Sequence, residues 1–565
     1  SRSIILAVLV FLGLASFQVL PFLEYLRHTS RGMMDFSEAS TWSLPVYALG
    51  DLVVPYLSEA DYIYKDYWTR QSWLIVYYMG IAALIFAFIS LKFESTKRRR
   101  VIFYILAAGL LISFGRYTPV YYFLYKFMPG FKLSRYPIKF FFMAAFSLSV
   151  LAGMGFEHYF KNARLVIKLG RFLKGMLAAG FVASFLYLIF EKNFSGTLGF
   201  LQGFILRAFP EFISKKNEME QLIYVCLFNT KRAFLFFMLF SVLIYAGSLK
   251  KIKLNLLMPV IIALSLLDIF TSTRNVYQNM EVNEFLKPAE NMTFLKNDKS
   301  LFRMFNSPAT LRRNMFVPER DYLDGMNGLK ERMISNLGVG SGIYDAYGYG
   351  SLYNERHEQV MDLIVRSKEP DETNLLNLLN VKYVISPRDF KIDGYKIVKK
   401  AEKANIYENE NVLPRAFLVG KAVVIKDEKK ILGRMKSKEF EPSKEVILEE
   451  VLDWARMYRH NVRSNDIEAV DILKYEPSYV EIETATSVPK FLVLSDTYYP
   501  GWKAHVDGKK NKIYRADYIL RAVYLKPGKH IVKFTYDPFS FKIGAIITLG
   551  TIFIIALFFM LYVNR

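Results

Sequence analysis

Residues Ile543–Val563 form an apolar run without one charged side chain. A helix needs about 20 mostly apolar residues to cross roughly 30 Å of hydrocarbon, so this run reads as a membrane span. Seven earlier runs have the same character: Ile4–Leu20, Trp73–Leu91, Val101–Phe114, Phe140–Phe156, Gly175–Phe190, Phe234–Ala246 and Leu254–Phe270. The third and sixth are short. The third is predicted to extend through Tyr117 toward Tyr122, and the sixth to begin near Tyr224; for these two a buried soluble helix is the alternative.

Charge orients the spans. Three short loops carry dense bases: Lys97 to Arg100 with Lys92 nearby; Lys161, Arg164, Lys168, Arg171 and Lys174; and Lys250, Lys251 and Lys253. If eight helices alternate, all three loops fall on one side, and Arg565 joins them. Basic loops face the cytoplasm, so loops 21–72, 115–139 and 191–232 and the segment 271–540 are predicted to lie outside it. The segment 271–540 holds 43 Lys and Arg against 38 Asp and Glu, while the whole chain is +22. The excess charge therefore belongs to the membrane part and signals topology, not a nucleic-acid partner.

Composition closes off other classes. An apolar fraction of 53% excludes a disordered chain, and a single cysteine, Cys226, excludes a disulfide scaffold or a cysteine-cluster metal site. The six histidines (His28, His158, His357, His460, His505 and His530) lack ligand spacing, so no zinc site is expected. No Walker or Rossmann loop is present, and no cofactor is expected. The chain starts without Met, and the opening run ends QVLPF, which reads as an internal helix rather than a signal peptide. Part of the parent protein is expected upstream of Ser1.

Residues 271–540 change character. Up to about 410 the pattern is mixed, with LLNLLNVKYVIS reading as a short helix feeding a strand. From 411 to 540, FLVLSDTYY, YILRAVYL and HIVKFTY read as strands punctuated by Pro500-Gly501, Asp507-Gly508 and Pro527-Gly528. A small β-sandwich tethered by helices is predicted, followed by the last span at 541–565.

The segments YYPGWKAHVDGKK (498–510) and YILRAVYLKPGKHIVKFTYDP (518–538) resemble the signature of the bacterial YfhO membrane-protein family. SFQVLPFLEYLRHTSRG (16–32), FKLSRYPIKFFF (131–142), LLNLLNVKYVIS (375–386) and LPRAFLV (413–419) agree in order. The resemblance implies a GT-C-like polytopic α-helical membrane domain, residues 1–270, plus an extracytoplasmic α/β and β-sandwich-like domain. It also implies transfer of a sugar from a polyprenyl-phosphate carrier to a wall polymer such as lipoteichoic acid. The family's catalytic carboxylate sits in an earlier outer loop, so it is expected upstream of Ser1 and maps onto no residue here.

The residues themselves supply candidates for such a site. Loop 115–139 carries Arg116, Lys126, Lys132, Arg135 and Lys139, aromatics that include Tyr117, Tyr121, Tyr122, Phe123, Tyr125 and Tyr136, and no acid. Bases interleaved with aromatics suit a lipid phosphate, and an aromatic belt at the headgroups is the alternative. Arg116, Lys132, Arg135 and Lys139 are the predicted donor-phosphate ligands. Glu24 is a candidate acid-base carboxylate, with pairing to Arg27 or His28 as the structural alternative. Asp35 and Glu38 are acceptor-side candidates. Asp268, at the end of its helix, is expected to cap the outer domain, with a place facing the active cavity as the alternative. Asp345 lies among aromatics that suit sugar stacking or simple packing. Asn193-Phe194-Ser195 and Asn291-Met292-Thr293 match the glycosylation sequon. A transferase reading thus stands beside a non-catalytic scaffold or lipid-glycan transporter. The expected partners are membrane lipid, a polyprenyl-phosphate-linked sugar and a cell-wall glycopolymer acceptor.

Overall fold

The first apolar run does not form one straight span. Helix α1 (Arg2–Leu14) and helix α2 (Ser16–Leu26) meet at Ala15 with a bend of 77°. The computed structural model describes residues 2–55, 74, 76–161, 175, 181, 216–249, 252–273, 280–312, 322–350, 352–366, 373–450 and 469–563. Most of the predicted span 175–190 lies outside these residues, as do Arg164, Lys168, Arg171, Lys174, Lys250, Lys251 and Asn193. The chain divides into two compact units, Ser1–Gly32 with Met280–Arg565, and Met33–Asn279.

The unit Met33–Asn279 is helical. It contains a short helix α3 (Phe36–Ala39), then α4 (Ile81–Phe93), α5 (Lys97–Ser113), α6 (Pro119–Phe127), α7 (Phe141–Lys161), α8 (Lys216–Ser248) and α9 (Leu254–Thr273). The predicted span from Trp73 is shorter than expected, because Val76–Gly80 is not helical and Gly80 takes φ +89 before α4 begins. The predicted extension of the third run past Phe114 is also absent, since Gly115 turns the chain at φ +51. The basic run Lys97 to Arg100 forms the first turn of α5, capped by Thr96, whose hydroxyl accepts from Arg99 N at 3.1 Å. It is helix rather than loop. Helix α8 starts at Lys216, ahead of the predicted start near Tyr224, so residues 216–223, predicted as loop, are helical.

Small residues let these helices approach. A Cβ on Gly155 of α7 would collide with the Phe86 carbonyl of α4, and one on Gly109 of α5 would sit 2.9 Å from Ala144 N of α7. Close backbone approach at small residues is how helices associate where lipid removes the hydrophobic driving force. Phe86, Ile89, Tyr159, Phe240, Ile244 and Ile261 fill the core between α4, α7, α8 and α9.

In the other unit, α1 and α2 pack on the last helix, Phe539–Val563. Its Gly544 permits the contact, because an added Cβ would lie 2.5 Å from Ser16 O. Thr548 of that helix serves the bend: its hydroxyl accepts from Phe17 N at 3.2 Å and reaches Gly13 O and Leu14 O at 3.2 Å. Backbone groups freed by a break in an apolar helix need such partners.

Three sheets complete this unit. A five-stranded sheet has the order β2 (Tyr344–Asp345), β1 (Arg303–Asn306), β3 (Val381–Ser386), β5 (Asn405–Asn409), β4 (Tyr395–Lys399). Strand β1 runs parallel to both neighbours. Two further sheets face each other. One has six strands: β6 (Ala416–Val419), β11 (Lys490–Thr497), β15 (Leu520–Leu525), β14 (Tyr514–Ala516), β8 (Glu445–Leu448), β7 (Lys421–Val424). The other has five: β13 (Lys509–Asn511), β12 (Trp502–Val506), β16 (Gly528–Tyr536), β10 (Tyr479–Thr486), β9 (Ala469–Glu476). Alternation on β11 sets the layering: Leu492 and Leu494 point into the core between these two sheets, while Phe491 and Val493 face a second core shared with β3 and neighbouring helices. The six-stranded sheet is therefore covered on both faces.

Among the described residues four helices are long and apolar enough to cross a membrane: Pro137–Lys161, Cys226–Gly247, Asn255–Thr273 and Phe539–Tyr562. The α1–α2 pair makes a fifth if counted as one bent span.

Candidate functional site

The backbone of 115–139 is set by residues that fix turns. Gly115 sits where a Cβ would strike Ser43 and Pro137, Pro119 opens α6 and Pro137 opens a 3-10 turn leading into α7. Residues 34–44 are tied onto this frame. Tyr125 donates its hydroxyl to Met34 O at 2.7 Å, and Tyr121 reaches Ser134 O at 2.9 Å and Ala39 O at 3.2 Å. Leu44 N donates to Ser113 O at 2.8 Å, and Ile138 N to Trp42 O at 3.2 Å. Tyr121 is fully buried, and burial pushes its phenol up to about 12.

The cations gather on tyrosine faces. The Arg135 guanidinium carbon lies 4.4 Å from the Tyr136 ring centroid, and the Lys139 ammonium lies 4.8 Å from the same centroid. Lys132 lies 5.7 Å from the Tyr125 ring, and Lys126 lies 5.9 Å from the Tyr122 ring. Such contacts orient a cation without cancelling its charge. Lys126, Lys132 and Lys139 are exposed. The result is a positively charged aromatic surface suited to hold an anion.

Two predicted ligands have structural ties. Arg116 donates from Nη2 to Ser37 O at 3.1 Å and from Nε to Ser40 O at 3.3 Å, so it fastens α3 to the frame. Arg135 donates to Glu38 Oε1 at 3.2 Å, which joins a predicted donor ligand to a predicted acceptor-side residue. The pair is partly exposed and contributes about 0.2–1 kcal/mol. Asp35 caps α3, accepting from Glu38 N at 2.7 Å. Such a cap stabilises a helix by about 1 kcal/mol.

Glu24 lies in the other unit, half-buried on α2. The pairing with Arg27 or His28 is not formed among the described residues; the Arg27 link to Glu24 is a backbone bond, N to O at 3.2 Å. His28 meets the Tyr499 ring edge-on at 5.4 Å. Burial, with the charge of Glu24, pushes the Tyr499 phenol up. Beside them an open cleft of about 450 Å³ is lined by Arg27, His28, Arg356, Tyr498, Tyr499 and Arg515.

Asp268 does not cap an outer domain. It is fully buried on α9, where Tyr78 donates its hydroxyl to Oδ1 at 2.6 Å and Oδ2 at 2.8 Å, and Ile81 N donates at 2.9 Å. The carboxylate thus caps the first turn of α4, whose N–H groups have no intrahelical partner. The Arg232 guanidinium approaches the Tyr78 ring at 5.7 Å. The sequence signal was available in a lone acid inside an apolar run, but its partner lies 190 residues away.

Asp345 accepts from Tyr347 N at 2.9 Å, and burial pushes its carboxyl up. This is a local turn bond. Asn291 is fully buried, with its amide donating to Ala404 O at 2.9 Å and Glu331 O at 3.1 Å, so its sequon is closed to modification in the folded chain. Asp507 and Gly508, at φ +51 and +76, form the β12–β13 hairpin turn. Among the described residues no group of three His, Cys, Asp or Glu side chains is placed to hold a metal ion.

These features define a helical membrane protein that carries a β-rich unit. The chain belongs to the YfhO family: it matches the family described as bacterial membrane protein YfhO over residues 1–431 and 455–548. A similar protein is one described as uncharacterized protein YfhO from Bacillus subtilis (strain 168), 29% identical over 102 residues. That match covers 18% of this chain and only 12% of the relative's length. No solved structure matches the chain.

Proposed function

We propose that this chain serves a membrane glycosyltransferase that moves a sugar from a polyprenyl-phosphate donor to a cell-envelope glycopolymer on the outer face. The observation that carries this reading is the surface of 115–139, where Arg135 and Lys139 meet over one tyrosine ring with Lys132 exposed nearby in sequence. In the proposed role these three bases hold the donor phosphate and stabilise the charge that grows on the leaving group. Arg116 keeps the surface folded rather than touching the donor. A carboxylate outside 115–139 takes the proton from the acceptor hydroxyl. The β-rich unit lies outside the cytoplasm in this reading and recognises the acceptor. Membership of a bacterial membrane-protein family supports the setting.

The helix break at Ala15 favours a second reading, a lipid-glycan transporter, since transporters build sites at discontinuous helices. One experiment separates the two. Envelope glycans and lipid-linked sugars are compared by mass spectrometry in a deletion strain, complemented either by the full-length wild-type gene or by an Arg135→Gln, Lys139→Gln version. A transferase predicts loss of one sugar from a wall polymer and accumulation of its lipid-linked donor in the deletion and in the double variant. Unchanged glycans in the deletion would remove the transferase reading. Restoration by the double variant would remove the donor-site assignment.

A further inference from the structure

Arg303 of β1, Arg521 of β15 and Arg415, which immediately precedes β6, converge on one buried carboxylate in the β-rich unit. Arg303 Nη2 donates to Asp496 Oδ1 at 2.9 Å, and Arg521 Nη2 donates to Asp496 Oδ2 at 2.9 Å. Tyr475 adds its hydroxyl to Oδ1 at 2.9 Å. These three bonds take most of the acceptor capacity of Asp496. Arg415 is left over: it is 2% exposed and its nearest carboxylate oxygen is Asp496 Oδ1 at 3.7 Å. Among the described residues, all three of its guanidinium nitrogens are buried without a hydrogen-bond partner, and so are Nε and Nη1 of Arg521. Five buried donors and two surplus positive charges stand against one acid. A buried charge is costly unless it is paired and hydrogen-bonded. Tyrosine faces give partial relief, with Arg415 lying 5.5 Å from the Tyr344 ring and 5.4 Å from the Tyr475 ring. Arg521 stacks on Trp502 at 3.8 Å. Burial and the neighbouring charge of Arg303 still push Arg415 down to about 10.

We propose that Arg415, with Arg303 and Arg521, forms a binding site for a phosphate-class oxyanion, either a free ion or a phosphate monoester. Planar guanidinium forks match the oxygens of such an anion, and each unbonded N–H then gains an acceptor. Access to Arg415 is at hand past one exposed ring. Tyr344, whose ring covers Arg415, is 47% exposed on the two-residue edge strand β2. A small pocket opens beside Arg303, whose Nη1 donates to Leu379 O at 2.9 Å and Ser495 O at 2.7 Å; His357, Ser495 and Thr497 also line it, and Arg415 and Arg521 do not. Asp496 acts as the positioning residue that aims two of the three forks. The site stands on this cluster alone and is independent of the proposed transferase activity.

The test uses the full chain in detergent, freed of phosphate and sulfate by dialysis. Its melting temperature is followed while inorganic phosphate, methyl phosphate or chloride is titrated in. The site predicts a saturable rise with phosphate and a much smaller response to chloride. Arg415→Met is expected to melt higher than wild type without phosphate, because a surplus charge is gone, and to lose the phosphate response. If that variant does not fold, Arg415→Lys is read instead, with at least a tenfold weaker phosphate response. A methyl phosphate response equal to that of phosphate assigns the site to a monoester on a larger molecule; a response to inorganic phosphate alone assigns it to a resident ion. A wild-type melting temperature indifferent to phosphate, or a response unchanged in both variants, overturns the proposal.

Discussion

Trp42 and Tyr136 stack with ring centroids 4.0 Å apart and planes 28° apart, and both hold left-handed backbone, at φ +58 and +71. Bulky residues rarely adopt that region, and each such residue costs on the order of 1–3 kcal/mol. Both persist because the surroundings fix them: Ile138 N bonds Trp42 O, Tyr136 N bonds Ala39 O, and both rings are buried. Strain held in place beneath two cations marks the ring of Tyr136 as the part that matters. Tyr136→Phe should leave stability and glycan transfer near wild type. Tyr136→Ala should lower both, and Tyr136→Gly should recover about 1 kcal/mol of the stability but none of the transfer, because glycine relieves only the backbone. Thermal melts read beside glycan analysis make the comparison. Wild-type transfer by the glycine variant would show that the ring has no role in donor binding.

Asp268 binds two donors, Tyr78 and Ile81 N, in an apolar interior. Asp268→Ala strands both, and each stranded buried donor costs about 1–3 kcal/mol. Asp268→Asn keeps an acceptor oxygen for one of them and is expected to be milder. Size-exclusion profiles and melting temperatures in detergent should rank the proteins wild type, Asn, Ala. Equal stability of the alanine variant would mean that α4 does not need this cap.

Thr548 satisfies backbone groups at the α1–α2 bend. Thr548→Val keeps the shape and removes the hydroxyl, at an expected loss of about 0.5–1.5 kcal/mol per net bond. Thr548→Ser should retain most of the stability. Denaturant midpoints decide it: if valine and serine variants unfold together, the bend is held by packing alone.

The long spans were legible because length and apolar content decide them. Phe140–Phe156 lies within the span Pro137–Lys161, Leu254–Phe270 within α9, and Ile543–Val563 within the last helix. The strands were legible for a similar reason: FLVLSDTYY, YILRAVYL and HIVKFTY hold most of β11, β15 and β16, and the predicted turn dipeptides lie at their ends. What the sequence hid depends on partners far along the chain. Nothing at Ala15 announces a bend, since the hydroxyl that serves it is Thr548. Apolar composition cannot tell the irregular run Val76–Gly80 from the helix that follows. The pairing of β12 with β16 rather than with β11 skips intervening strands, and the meeting of Arg303, Arg415 and Arg521 needs three of them in register. Within the basic segment the charges were readable, but not that Arg116 would be spent on Ser37 and Ser40.

Asp517 supplies a pH dependence with a definite sign. It is fully buried in the β14–β15 turn, and its Oδ1 accepts from Ile447 N at 2.8 Å while Oδ2 has no hydrogen-bond partner among the described residues. Burial raises its carboxyl to about 7, and the Ile447 bond only partly opposes this. A carboxyl raised on folding contributes stability fully present below its unfolded pKa near 4, and that contribution is lost as pH rises through about 7. The loss approaches about 4 kcal/mol at most. Asp496 and Glu445, held low by arginine and lysine neighbours, stay ionised from pH 5 upward and do not mask it. Asp517→Asn cannot ionise, but it places an unpaired amide group where Oδ2 was, a cost of about 1–3 kcal/mol at every pH. The two stability curves must therefore cross. Wild type should be the more stable protein at pH 5 and the asparagine variant at pH 8.5, as read from denaturant midpoints. Parallel curves over that interval would mean that Asp517 is already ionised in the folded chain at pH 5.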